Sequence, residues 1–69
     1  MPRNKATWVR TEAAKHTTAN SIRRRIAHEE KKVRVLAGAG LNGDKAVVAH
    51  HELIRVLTER LDELQREDP

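Results

Sequence analysis

At 69 residues the chain makes one small domain, of the size that buries only about 60% of its unfolded surface. It has no cysteine, which excludes disulfide staples and thiolate metal sites, and it has no apolar run long enough for a membrane span or secretory leader. The composition therefore predicts a soluble cytoplasmic protein. The net charge of +4 conceals an asymmetry: residues 1–37 carry ten Lys/Arg against three Asp/Glu, whereas residues 38–69 carry four against seven. A basic half of this kind points to a polyanionic partner, most commonly nucleic acid. The plainer alternative is a basic helix packed on an acidic one.

In chain order, residues 1–7 are polar, contain Pro2, Arg3 and Lys5, and are expected to form a flexible basic arm. Thr11 can cap a first helix, with Glu12, Ala13, Ala14 and Lys15 as good helix formers in its opening turn. Thr17, Thr18, Asn20 and Ser21 interrupt it, and one of Thr18, Asn20 or Ser21 caps a second helix reaching about Glu30. In that helix Ile22 and Ile26 stand one turn apart and share a face, with Arg23, Arg24 and Arg25 between them. A helix with an apolar back and a guanidinium front suits a nucleic-acid groove.

After Ile26 the apolar stripe should return at positions 29 and 30, which are Glu29 and Glu30, so the helix is expected to stop. Val33 and Val35 then alternate with Lys32 and Arg34, and Val47 with Val48 forms a second β-branched patch. Gly38, Gly40, Asn42, Gly43 and Asp44 lie between the two runs, a pattern that predicts a β-hairpin. The rival reading joins two long helices through this loop. The last segment is clearer: Ile54, Leu57, Leu61 and Leu64 define an amphipathic helix from about His50 to Glu67. Its final turns offer only Leu61 and Leu64, a narrow seam that suggests self-association.

The opening WVRTEAA, the second-helix pattern SIRRRIA, the VRV strand after it and an apolar helix beyond the hairpin resemble the small winged-helix DNA-binding domains of the MerR and phage excisionase type. The resemblance runs from Trp8 to about Leu57. It departs in the turn, where Thr17 and Thr18 stand in place of a Gly-Val pair, in the HEEKK run and in a longer wing loop. The expected fold is mainly α with a β-hairpin, a winged helix-turn-helix over residues 8–57, and a C-terminal helical extension over residues 58–69. An all-α helical hairpin is the alternative.

With Ile22 and Ile26 inward, Asn20, Arg24 and Lys31 fall on the opposite face, with Thr17 and His28 beside them. Arg24 can fork onto guanine and Asn20 can pair with adenine, so Asn20, Arg24, Thr17 and His28 form the candidate base-reading set. Arg23 and Arg25 flank them toward phosphates. The resemblance implies a wing role for Lys31, Lys32, Arg34 and Lys45, and Arg3 and Lys5 would add nonspecific affinity. Trp8, the only aromatic, reads as a core anchor. His50 and His51 are adjacent and diverge on a helix, and His16 and His28 lack carboxylates at ligand spacing, so no metal, cofactor or small-molecule ligand is expected. No nucleophile–base set is present, which argues against an enzyme.

The expected function is sequence-specific binding of double-stranded DNA, as an excisionase-like architectural factor or small transcriptional regulator. It would act as a homodimer or a side-by-side oligomer on DNA. The rival is an oligomeric helical interaction protein that binds or inhibits another protein.

Overall fold

The computed structural model describes residues 5–41 and 43–67. Three helices follow in order: α1 (Lys5–Ala14), α2 (Ala19–Gly38) and α3 (Lys45–Glu67). Among the described residues there is no strand, so the β-hairpin and the wing of the winged-helix expectation are absent. The domain is all-α, and Val33, Val35, Val47 and Val48 all lie within helices.

The expectation failed at Glu29. The inward stripe of α2 does not end there but runs Ile22, Ile26, Glu29, Val33, Leu36, with steps alternating between four and three residues. Glu29 occupies a core rung and is fully buried along with Ile22. A buried carboxylate is tolerable only when paired and hydrogen-bonded, and Glu29 has partners on both oxygens. With that rung satisfied, β-branched residues follow the helix. Their strand preference is worth only about 1 kcal/mol, and an isolated two-stranded hairpin is marginal in water.

Local signals set the helix ends. Thr18, with extended backbone (φ −112°, ψ 152°), caps α2 by accepting a hydrogen bond from Ser21 N–H at 3.2 Å. At the other end the Gly40 N–H donates to Ala37 O and the Leu41 N–H to Leu36 O at 2.9 Å, with Gly40 at φ +80°. This is a Schellman stop with glycine in the left-handed position. Asp44 then caps α3, its Oδ1 accepting from Ala46 N–H at 2.8 Å. The glycine-rich loop is thus a helix stop followed by a helix start. Thr11, read from the sequence as the cap of the first helix, lies inside α1 and donates from Oγ1 to Thr7 O at 2.8 Å.

The helices α2 and α3 run antiparallel: Leu36 and Ala46 line one groove, Glu29 bonds to His50, and Ile22 shares the core with Leu53 and Leu57. Helix α1 adds Val9 and Ala13 to that core. Trp8, Ile26, Val56, Leu61 and Leu64 pack around it, partly buried. Trp8 also sets its ring edge-on to His50, with centroids 5.4 Å apart at 87°. No helix among the described residues is long and apolar enough to cross a membrane.

Candidate nucleic-acid interface

Burying Ile22 and Glu29 turns the opposite side of α2 to solvent. Asn20, Arg23, Arg24, His28, Lys31, Lys32 and Arg34 are all exposed there. Arg24 and His28 stand one turn apart and, with Asn20, His16, Thr18, Ser21 and Arg25, line a shallow cleft of about 370 Å³. Three of the four expected base-reading residues therefore share one cleft at the start of α2. The fourth, Thr17, is exposed in the preceding turn. Within the cleft, His16 Nδ1 lies 2.5 Å from Ser21 Oγ, while its Nε2 is buried without a hydrogen-bond partner among the described residues.

The expected phosphate contacts divide. Among the described residues, Arg23, Arg24, Lys31, Lys32 and Arg34 have no carboxylate within ion-pair distance. Arg25 is different: Nε donates to Glu29 Oε1 at 2.7 Å and Nη2 to Glu12 Oε1 at 3.0 Å. Lys5 is exposed at the first residue of α1, and Lys45 is exposed at the first residue of α3, at the far end of α2 from Arg24. Arg3 lies outside the described residues. Leu61 and Leu64 are half-buried against the core of their own chain.

Beneath the exposed face runs a chain of charges that sequence reading missed. Lys15 pairs with Glu12 at 2.6 Å, Glu12 with Arg25, Arg25 with Glu29, and Glu29 with His50 Nδ1–H of α3. The hydrogen bond from Lys15, opposed by burial and reinforced by Arg25, holds the Glu12 carboxyl below the usual carboxylate range. For Glu29, burial pushes the carboxyl up, but the hydrogen bonds and charges of Arg25 and His50 outweigh it and hold the group low. Burial opposes the charge of Arg25, and its two carboxylate partners more than restore it. The signal in the sequence was Arg25 four residues before Glu29, an (i, i+4) pair on the inward flank of α2.

The charges of α3 are largely self-neutralising. Arg55 bridges Glu52 and Glu59, and Arg66 pairs with Asp62 at 3.0 Å. Arg55 is the chief cause of the lowered Glu52 carboxyl. Among the described residues no three His, Asp or Glu side chains converge on a possible metal position. No protein-family profile matches the chain, and neither characterised proteins nor solved structures show a significant match.

Proposed function

We propose that this protein binds double-stranded DNA through the exposed face of α2, as a small architectural or regulatory factor without a wing. One observation carries the reading: among the described residues the exposed cations of α2 lack acidic partners, although α2 packs directly on the acidic α3. A basic helix neutralised by an acidic neighbour would place Arg23, Arg24 and Arg34 against carboxylates of α3. Here the carboxylates of Glu52, Glu59 and Asp62 are taken by Arg55 and Arg66 instead. Unpaired cations along one helix are what phosphate contacts require, and a major groove about 12 Å wide admits a helix. Arg24 and Asn20 at the start of α2 reach base edges, while Arg23, Lys31 and Arg34 meet phosphates. Arg25, held by Glu12 and Glu29, positions the helix and is not a DNA contact in this scheme.

The test is binding of the full chain to random-sequence duplex DNA across a salt series. Binding should weaken steeply with salt, and Arg23→Ala with Arg34→Ala should flatten the log–log slope by about 1.8, roughly 0.9 per lost phosphate contact. Absence of binding at low salt sinks the reading. A second reading, a helical interaction protein, draws support from Val35, Leu41 and Val48, which are exposed around the α2–α3 connection.

A further inference from the structure

The outward face of α2 carries one large apolar side chain among its cations. Val35 is 65% exposed, more than Leu41 at 42% or Val48 at 45%. It stands 11 residues after Arg24 on α2, which at about 100° per residue brings it back to within about 20° of the same line. Lys31 lies one turn before it on that line. The rise from Arg24 to Val35 is about 16.5 Å at 1.5 Å per residue, close to the length of about five base pairs.

The surroundings of Val35 are cationic. Arg34 lies about 100° to one side of it around the helix and Lys32 about 60° to the other. Both are exposed and have no carboxylate within ion-pair distance among the described residues. Glu30, the exposed acid of α2, points about 140° away. Val35 also lines a groove of about 540 Å³ with Leu36, Lys31 and Lys32, and no carboxylate among the described residues lines it. An apolar protein partner covering Val35 would strip water from these cations without replacing it. The major groove of DNA presents both chemistries at once: phosphates along its rims, and the C5-methyl of thymine on its floor.

We infer that Val35 is a specificity-determining residue that packs its methyl groups on the C5-methyl of a thymine, about five base pairs from the base met by Arg24. The inference rests on the proposed DNA-binding face of α2 and adds to it a base preference made without a hydrogen bond. With Lys32 and Arg34 drawn to opposite rims, the side chain between them is aimed at the floor. Thymine suits it because the methyl is the apolar group among the base edges of that groove, whereas the amino and carbonyl groups of the others would lose water to a valine.

The test compares binding of the full chain to a mixed-sequence duplex and to the same duplex with uracil in place of every thymine. Uracil removes the methyl and leaves the pairing and the phosphates unchanged. The wild type should bind the uracil duplex about two- to fourfold more weakly, the value of burying one methyl group. Val35→Ser should bind the two duplexes equally, with circular dichroism showing that it remains helical. Val48→Ser, at an exposed valine on α3, should keep the wild-type difference. Equal binding of both duplexes by the wild type, or a difference that survives in Val35→Ser, would overturn the inference and leave the DNA-binding reading standing. Absence of binding to either duplex at low salt would overturn both.

Discussion

Arg24 and Arg25 are adjacent in α2 yet belong to different parts of the molecule. Arg25 turns toward the core, reaching Glu29 at 2.7 Å and Glu12 at 3.0 Å, while Arg24 stands exposed without an acidic partner among the described residues. The rotation of one residue, about 100°, separates a structural cation from one free to meet a ligand. Within SIRRRIA, then, three identical side chains divide between two roles.

That division predicts opposite stability effects. Arg25→Ala leaves the buried Glu29 without one of its two partners and should destabilise the fold by about 3–5 kcal/mol, the range for breaking a buried pair. Arg24→Ala touches no such feature and should stay within about 0.5 kcal/mol. Urea denaturation of both variants checks this. Equal effects would contradict the assignment.

Acid should weaken the domain through the same network. Glu29 and Glu12 both titrate lower in the folded chain than in the unfolded one. A carboxylate lowered in this way contributes stability that is fully present above the unfolded value of about 4.3 and is lost as pH falls through the folded value. Thermal melts followed downward from neutrality should therefore show Tm falling below about pH 4.3. Glu29→Gln, which cannot titrate, should be less stable near neutrality and should lose less on acidification. An unchanged acid dependence in that variant would remove Glu29 from the explanation.

The two glycines at the end of α2 should respond in opposite directions to alanine. Gly38 has ordinary helical backbone and open space where a Cβ would sit, so Gly38→Ala should stabilise by about 0.4–1 kcal/mol. Gly40 also has open space, but its φ of +80° is strained for any residue with a Cβ, so Gly40→Ala should destabilise by about 1 kcal/mol. Chemical denaturation midpoints separate the two. If the loop were a hairpin turn, the helical advantage at Gly38 would not appear.

The caps offer a smaller, independent check. Thr18→Ala removes the side-chain acceptor of Ser21 N–H and should cost about 1 kcal/mol, as should Asp44→Ala at the start of α3. Because Thr18 also lines the cleft with Arg24, DNA binding should be compared with that of Asp44→Ala, which leaves the cleft intact. A binding loss confined to Thr18→Ala would tie cap geometry to the placement of Arg24.

Local chemistry in the sequence was enough to mark the break at Thr17 and Thr18, to narrow the cap of α2 to Thr18, Asn20 or Ser21, and to give the amphipathic stripe of α3 and the outward face of Asn20 and Arg24. Each depends on residues within one or two turns of one another, where spacing and hydrogen-bonding capacity decide the outcome. The course of the chain from Glu29 to Val48 could not be read in that way. A glutamate at an inward position ends a helix if unpaired and continues it if satisfied, and the two cases look alike along the chain. What decided between them was His50, 21 residues away on α3, meeting one oxygen of Glu29 while Arg25 held the other. Only packing α2 against α3 brings those groups together, and that contact turned an expected β-hairpin into two long helices.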